Sequence, residues 1–339
     1  FYLSGQLLTE DYYVANKFAK GFIGTGHVDT NSRLCMSSAV AGYKRAFGAD
    51  AVPCNYEDLE HCELLVLTGS NAAWTHPVLY RRITEAKQKN PAMRVVVIDP
   101  RRTASCDIAD LHLAVAPGAD AFVFNGLLAH LAKVGKLNKT YIEQHTEGFE
   151  SALKTATAIG QAELEQSSGI NSEDLATFYQ WFAETEKSIT FYSMGINQSA
   201  TGTDKCNAII NCHLATGRIG KLGAGPFSIT GQPNAMGGRE VGGLANMLAA
   251  HMDYSPENVA TVAAFWNSDQ VSQQAGLKAV DLFDAVADGS IKAIWIMGTN
   301  PVVSMPNADR VKAALAQCDT VIVSDCIAET DTTATANIL

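Results

Sequence analysis

The apolar positions of the chain form short runs that alternate with longer amphipathic segments. Leu64–Thr68 is an apolar run of strand length that ends in Gly69-Ser70-Asn71, and Val78–Lys89 then has the apolar spacing of a helix. A second β-branched run, Val95–Ile98, follows and ends at Asp99. A strand, a loop, a helix and a strand in this order predict a parallel α/β sheet.

The same unit occurs a second time near the end of the sequence. Ala293–Met297 matches the first strand, and Gly298-Thr299-Asn300 matches the loop after it. A helix pattern over Ala308–Gln317 and a second strand over Val321–Asp325 complete the copy. The sequence therefore predicts an α/β fold with mostly parallel sheets that are related by an internal pseudo-repeat.

Each copy has features that suit a nucleotide. A glycine-containing loop after a strand offers backbone N–H groups and a helix N-terminus to a phosphate. Asp99 and Asp325, at the ends of the second strands, can accept hydrogen bonds from a ribose or a guanine. Two copies predict two nucleotide-like groups bound side by side, and the alternative is that they are ordinary turns of two α/β halves. The G-x-G-x-x-G fingerprint is absent from the sequence, which argues against NAD or FAD.

Cys35 is a candidate metal ligand. It follows Arg33, and the small residues after it predict a helix that has Cys35 in its first turn. Unpaired amide N–H groups and a nearby cation both favour the thiolate, which is the form that binds a metal. The alternative is that Cys35 is a small buried hydrophobic residue.

Composition narrows the class of protein. The chain has 339 residues, of which 47% are apolar and 18% charged, so two domains with a sizeable soluble core are expected. The net charge of −10 disfavours a nucleic-acid partner, and no apolar run is long enough to span a membrane. The eight cysteines are scattered without C-x-x-C spacing, which indicates a reducing compartment. The chain begins without Met, and we expect it to be an internal fragment of a longer protein.

A glycine-rich stretch covers residues 217–243 and contains Gln232, Met236, Arg239 and Glu240. Glycines that let the backbone approach a ligand, interleaved with polar side chains, suit the wall of a site. One alternative is that the stretch is a long solvated connection. Another is that Arg239 only caps carbonyl groups within it.

Five separate motifs carry a family resemblance. In chain order they are Ser32–Ala39, Gly69–Asn71, Ile98–Thr103, Gly231–Glu240 and Gly298–Pro301. Together they resemble the molybdopterin oxidoreductases, and within that family the bacterial nitrate reductases that bind two molybdopterin guanine dinucleotides. The Gly-Ser-Asn-Ala-Ala-Trp-Thr-His-Pro version of the second motif is similar to the assimilatory, cytoplasmic branch.

The resemblance assigns roles to individual residues. Cys35 matches the thiolate that ligates molybdenum, and Met36, Gln232 and Arg239 match positions near the substrate, where Arg239 would hold the anion through its planar fork. Residues near the cofactor and under the metal are Gln6, Asn31, Met194 and Gln198. The first dinucleotide cradle is matched by Thr68, Gly69, Ser70, Asn71, Thr75, Asp99, Arg101, Arg102 and Asp120. The second cradle is matched by Asn300, Ser324 and Asp325. The alternatives are that Met36 and Met194 fill the core and that Arg101 and Arg102 are solvated.

The resemblance also implies a domain organisation and a reaction. One domain would be discontinuous, residues 1–34 with 225–339, and would hold the second cradle. The other would be inserted as residues 35–224, with Cys35 and the first cradle. The implied reaction is oxygen-atom transfer that reduces nitrate to nitrite, with Glu240 as a candidate proton carrier.

Partners follow from the same resemblance. Electrons would come from a ferredoxin, a flavodoxin or an NADH-linked protein or subunit, through a [4Fe–4S] cluster whose ligands are not in this sequence. One alternative is a formate dehydrogenase of the same family, but these usually have histidine after the cysteine and beside the arginine, where this chain has Met36 and Glu240. Another alternative is a non-catalytic α/β scaffold that binds a nucleotide or a partner subunit.

Overall fold

The computed structural model describes residues 1–339, apart from the side chain of Gln161. The strands are β1 (Tyr2–Leu3), β2 (Asp29–Thr30), β3 (Leu64–Thr68), β4 (Arg94–Ile98), β5 (Leu111–Leu113), β6 (Ser188–Tyr192), β7 (Gly225–Ser228), β8 (Ala293–Met297) and β9 (Thr320–Ser324). The α-helices are α1 (Thr9–Asn16), α2 (Ser32–Cys35), α3 (Ser37–Phe47), α4 (Asp58–His61), α5 (Ala72–Thr75), α6 (Pro77–Lys89), α7 (Asp120–Lys133), α8 (Lys139–His145), α9 (Phe149–Thr157), α10 (Gln161–Ser168), α11 (Ser172–Glu184), α12 (Met194–Asn197), α13 (Gly202–Ala215), α14 (Ala235–Val241), α15 (Pro256–Trp266), α16 (Ala279–Ala287), α17 (Pro301–Ser304) and α18 (Ala308–Gln317). A π-helix covers Lys17–Ile23, and 3-10 helices cover Ala104–Ile108 and Thr333–Thr335.

The chain forms two compact units. Unit 1 comprises residues 1–35 and 232–339, and unit 2 comprises residues 36–231. Within the described residues, none of the helices combines the length and the apolar character needed to cross a membrane.

Unit 2 is built on a parallel 5-stranded sheet in the order β5-β4-β3-β6-β7. Every residue of β3 is fully buried, because helices cover both faces of the sheet. Leu64 and Val66 pack into an apolar cluster with α7, α11 and α13. Leu65 and Leu67 point to the opposite face and pack with Ile83 of α6. The continuous apolar run of β3 is therefore the pattern of a central parallel strand.

Unit 1 has a parallel 4-stranded sheet in the order β2-β1-β8-β9. Ile294 and Ile296 of β8 pack with Val321 and Val323 of β9 against α16 and α18. Trp295, between the two isoleucines, faces the other side and is only half-buried. This alternation places the core of unit 1 mainly on one face of the sheet.

The predicted pseudo-repeat is present in the structure. The elements β8, α17, α18 and β9 of unit 1 repeat β3, α5, α6 and β4 of unit 2. Register is alike in both, since Leu64 pairs with Arg94 and Ala293 pairs with Thr320 at the start of the strands. In sheet order, β1 and β2 of unit 1 take the places that β6 and β7 have in unit 2. The predicted α/β fold with two parallel sheets is confirmed.

The chain divides at different residues from those predicted. Breaks were expected after residues 34 and 224, whereas the units divide after Cys35 and Gly231. The second break lies further on because β7 pairs with β6 and so belongs to the sheet of unit 2. Its sequence, Gly225–Ser228, lacks the β-branched residues that would have identified a strand. Because the first break lies after Cys35 and not before it, Cys35 belongs to unit 1.

Candidate functional site

Equivalent glycine turns lie at the carboxyl ends of β3 and β8. The Gly69 N–H donates to the carbonyl oxygen of Ile98 at 3.1 Å, and the Gly298 N–H donates to that of Ser324 at 2.8 Å. Both glycines have left-handed backbones, with φ of +56° and +62°. A Cβ on Gly69 would lie 2.7 Å from the backbone nitrogen of Ile196, so no side chain fits there. Each loop is thereby tied to the last residue of the neighbouring strand.

A buried hydroxyl holds the asparagine of each loop in the same way. The Ser105 hydroxyl donates to Asn71 Oδ1 at 3.0 Å and accepts the second N–H of α5 at 3.0 Å. The Thr332 hydroxyl donates to Asn300 Oδ1 at 2.6 Å and accepts the N–H of Val302, the second residue of α17, at 3.2 Å. We call this arrangement the hydroxyl clamp. It fixes the side-chain amide of each asparagine and leaves its Nδ2 as a donor for a ligand.

The aspartates after β4 and β9 also have matching roles. Asp99 Oδ1 accepts the N–H of Arg101 at 2.8 Å, and Asp325 Oδ1 accepts the N–H of Ile327 at 3.0 Å. Each aspartate therefore initiates a turn with one carboxylate oxygen, which leaves the other oxygen as an acceptor. Arg101 and Arg102 are exposed directly after this turn.

Thr75 closes the first loop. Its hydroxyl donates to the carbonyl oxygen of Asn71 at 3.1 Å and lies 2.8 Å from His76 Nδ1. His76 Nε2 lies 2.7 Å from the carbonyl oxygen of Thr230, so this histidine joins two loops of unit 2. At the end of β9, Ser324 Oγ accepts a hydrogen bond from the Trp295 indole at 3.0 Å.

In unit 1, residues from distant parts of the chain meet beside the second loop. Asn31 Oδ1 accepts the N–H of Gly5 at 2.8 Å and the side-chain amide of Gln232 at 2.9 Å. Asn31 Nδ2 donates to the hydroxyl of Thr299 at 3.0 Å. A Cβ on Gly5 would lie 2.5 Å from Gln232 Oε1, so glycine permits this close approach. The structure thus brings Asn31 and Gln232 together with the second loop, while Gln6 is exposed next to Gly5.

Several buried hydroxyls around the loops have no hydrogen-bond partner among the described residues. In unit 2 these are Ser70, which is 2% exposed, Thr68, which is 0% exposed, and Thr103. In unit 1 the buried Ser32 hydroxyl likewise has no hydrogen-bond partner among the described residues. Buried polar atoms are normally satisfied, so such a set at the carboxyl end of β3 fits a polar ligand that supplies the missing bonds. A phosphate-bearing group on a tight glycine turn has this chemistry.

Cys35 is the last residue of α2, so its predicted place in the first turn of a helix was wrong. Met36, with φ of −124° and ψ of 19°, leaves the helical region and separates α2 from α3. Arg33 makes a two-pronged ion pair with the fully buried Asp29, with both distances 3.0 Å. The charge expected to favour the thiolate is therefore largely neutralised by Asp29. Cys35 itself is 9% exposed.

The methionines and Gln198 lie in unit 2. Met36 precedes α3 and is 5% exposed. The start of α3 is held by Asn197, whose Oδ1 accepts the N–H of Ala39 at 2.7 Å. Met194 begins α12, and its carbonyl oxygen accepts the N–H of the exposed Gln198 at 2.7 Å.

Arg239 lies on α14 in unit 1. It is half-buried, and its guanidinium contacts the sulfur of Met236 one turn earlier. Glu240 follows it and is exposed. An arginine fork on a short glycine-containing helix can bind a planar oxyanion.

Asp120 starts α7 and is only 6% exposed. Its Oδ2 accepts a hydrogen bond from Lys205 Nζ at 2.7 Å, in an ion pair that is almost fully buried on both sides. The carboxylate of Asp120, which was predicted to contribute to the first cradle, is therefore bound by Lys205, a residue that the sequence did not identify.

Sequence reasoning also missed Ser105, Thr332 and Asn197. A signal for two of them was present, because Ser105 and Thr332 each lie two residues after threonines that the repeat aligns, Thr103 and Thr330. Within the described residues, no three His, Cys, Asp or Glu side chains are grouped closely enough to hold a metal ion.

Comparisons with known proteins agree with the architecture. The family model for "Molybdopterin oxidoreductase" matches residues 1–339. A nitrate reductase from Klebsiella oxytoca is 58% identical over 341 residues, which cover 100% of this chain and 38% of that protein. A nitrate reductase from Shewanella frigidimarina is 55% identical, with 100% of this chain and 36% of that protein covered. The chain therefore spans less than two fifths of the length of these relatives.

Among solved structures, the acetylene hydratase from Pelobacter acetylenicus has a similar fold. The TM-score is 0.70 at 16% identity, and the match covers 95% of this chain and 46% of that one.

Proposed function

Because the chain belongs to the molybdopterin oxidoreductase family, we propose that it is the part of a nitrate reductase that binds molybdenum and two molybdopterin guanine dinucleotides. The observation that carries this proposal is the hydroxyl clamp, which occurs once in each unit with the same donors and acceptors. Two equivalent ligand groups call for two equivalent loops.

Each loop would hold one dinucleotide. In the Gly69–Asn71 loop, the amides of Ser70 and Asn71 and the unsatisfied hydroxyls of Thr68 and Ser70 would receive phosphate oxygens. Asp99 would accept from a sugar or guanine edge with its second oxygen, and Arg101 would offset phosphate charge. In unit 1, Asn300 would contact the second dinucleotide from its loop, and Asp325 would accept hydrogen bonds as Asp99 does in unit 2.

Cys35 would bind the metal through its sulfur, since a thiolate suits a soft redox-active metal. When bound, the molybdenum cofactor supplies a two-electron centre that accepts an oxygen atom. Arg239 would orient nitrate through its guanidinium, and Glu240 would carry a proton on its carboxylate. The net reaction consumes nitrate, two electrons and two protons, and it yields nitrite and water.

The proposal extends to the rest of the parent protein. We place it in the cytoplasmic, nitrate-assimilating branch, with electrons arriving from a ferredoxin, a flavodoxin or an NADH-linked donor through a [4Fe–4S] cluster. Met36 after Cys35, and Glu240 after Arg239, favour nitrate over formate as substrate.

The test compares the parent protein with its Cys35→Ser variant. We expect the wild type to oxidise reduced methyl viologen with nitrate and to contain molybdenum and guanine nucleotide. Cys35→Ser should lose at least about 100-fold in rate, because changes in outer-shell partners of a metal alone cost about 10–100-fold. Cys318→Ser, a half-buried thiol in unit 1, is the matched control and should keep its rate. Formate-dependent dye reduction by the wild type, or full nitrate activity in Cys35→Ser, would refute the proposal.

A further inference from the structure

A lysine ammonium group is buried in unit 1 among backbone carbonyls. Lys20 is 0% exposed and lies in the π-helix Lys17–Ile23. Its Nζ donates to the carbonyl oxygens of Gly242 at 2.7 Å, Leu244 at 3.0 Å and Met247. These are three acceptors for the three hydrogens of an ammonium. Burial lowers the pKa of Lys20 to about 7, while the Asp29 carboxylate opposes the shift.

The acceptors belong to a segment, residues 241–249, that begins with the last residue of α14, is otherwise irregular and is mostly buried. Irregular backbone that is buried needs partners for its polar groups. Other side chains from the start of the chain provide them. Asn16 donates to the carbonyls of Val241 at 3.1 Å and Leu248 at 3.0 Å, and Asp29 accepts the N–H of Ala245 at 3.3 Å. Arg33 adds a side-chain contact, since it donates to Asn246 Oδ1 at 2.7 Å.

The helix before this segment has little stability of its own. The α14 helix is seven residues long and contains Gly237 and Gly238, and glycine is a poor helix former. A Cβ on Gly238 would lie 3.1 Å from the ring of Tyr12, so the glycine face of α14 packs directly on α1. Lys20 binds the carbonyl of Gly242, the residue that caps α14. A cation at the C-terminal end of a helix is a favourable partner for its carbonyls.

The same polar side chains reach the turn that carries Cys35. Asp29 binds both the 241–249 segment and Arg33, which lies on α2 two residues before Cys35. Residues 241–249 are thus the common support of α2, with Cys35, and of α14, with Arg239.

We propose that Lys20 is a positioning residue that fixes α14, and so places Arg239 for binding of the anionic substrate. This inference rests on the proposed function, in which Arg239 holds nitrate. Lys20 does not touch the substrate and acts through the backbone of residues 242–247.

The test uses the parent protein with Lys20→Met, which keeps the length of the side chain and removes its charge and donors. Lys17→Met is the matched control, because Lys17 lies in the same π-helix but is partly exposed over the Tyr13 ring. The measurements are nitrate KM and kcat per molybdenum, molybdenum content, and hydrogen exchange of residues 235–249. For Lys20→Met we expect the KM to rise by about tenfold or more at nearly unchanged kcat, the pattern of lost substrate binding. Molybdenum content should stay at the wild-type level, exchange over 241–249 should accelerate, and Lys17→Met should behave as wild type.

A second variant provides rescue. Lys20→Ala leaves space beside three carbonyl oxygens, which a small cation can enter. Added ammonium or potassium should restore much of the KM and of the exchange protection, whereas choline, which is too large, should not. Lys20→Arg should fall between wild type and Lys20→Met, since its larger head meets the same carbonyls.

Two results would overturn the inference. One is unchanged KM and exchange in Lys20→Met, and the other is a loss of kcat and molybdenum at constant KM, which indicates only general destabilisation. Failure of the proposed function is distinguishable, because Arg239→Lys would then leave the nitrate KM unchanged while Lys20→Met still accelerates exchange over residues 241–249.

Discussion

Removal of the hydroxyl of Thr332 tests the clamp of unit 1. Thr332 is 0% exposed, and Thr332→Val keeps the shape of the side chain while its hydroxyl is lost. Two hydrogen bonds disappear, one to Asn300 Oδ1 at 2.6 Å and one from the N–H of Val302 at 3.2 Å. The first is worth about 1 kcal/mol, and the buried N–H left without a partner costs about 1–3 kcal/mol, so the loop loses roughly 2–4 kcal/mol.

This loss corresponds to about a 30-fold increase in local opening at its lower bound, since about 1.4 kcal/mol equals a factor of ten. Hydrogen exchange of the α17 amides measures the opening directly. Guanine nucleotide retained after gel filtration measures the consequence for the ligand, and it should fall below the wild-type content. Ser105→Ala should produce the same two effects on α5 and on nucleotide content, because its clamp has the same geometry.

The control is Thr261→Val, which removes an exposed hydroxyl on α15 that bonds only within its own helix. It should leave exchange in α17 and nucleotide content at wild-type values. Exchange at the wild-type rate in Thr332→Val, or loss of nucleotide from only one of the two clamp variants, would contradict the role given to the hydroxyl clamp.

Three further predictions concern single positions. Gly69→Ala should lose more guanine nucleotide on gel filtration than Gly298→Ala. A Cβ at position 69 would lie 2.7 Å from a backbone nitrogen, whereas a Cβ at position 298 would make only ordinary contacts. Equal loss from the two variants would contradict this prediction. Burial lowers the pKa of His213 well below its usual value. Below about pH 6.5 the unfolded chain therefore binds a proton that the folded chain does not. The free energy of unfolding falls in this pH range by up to about 1.4 kcal/mol per pH unit. Urea midpoints at pH 5 and 8 should therefore differ more in wild type than in His213→Gln, and an equal difference would argue against this linkage. Lys205→Met leaves the buried carboxylate of Asp120 unpaired at a cost of about 3–5 kcal/mol, so the melting temperature should drop. The double variant with Asp120→Asn should recover the melting temperature. An unchanged melting temperature in Lys205→Met would show that the ion pair is dispensable.

The central strands of unit 2 could be predicted from sequence because their burial is continuous. Leu64–Thr68 and Val95–Ile98 have the pattern of central parallel strands, and the glycine after the first of them, Gly69, follows from strand-to-helix geometry. β7 could not be recognised, because Gly225–Ser228 becomes a strand only through its pairing with β6. The predicted division of the chain, which came from the family resemblance, therefore separated this strand from the sheet to which it belongs.

The sequence motifs named candidate site residues, but not the side chains from other segments that hold them in place. Asn71 and Asn300 were identified, but the hydroxyls that hold them come from the segments after the neighbouring strands. Lys205 meets Asp120 from 85 positions away. Lys20 has the sequence pattern of a helix-surface lysine, and only the tertiary packing of residues 242–247 around it explains its burial.

X-ray absorption at the molybdenum edge tests the central claim most directly, because it counts the sulfur atoms bound to the metal. The parent protein and its Cys35→Ala variant should be compared at equal molybdenum content. The account predicts that the variant has one sulfur neighbour fewer than the wild type. An unchanged sulfur count would contradict the claim that Cys35 binds the metal.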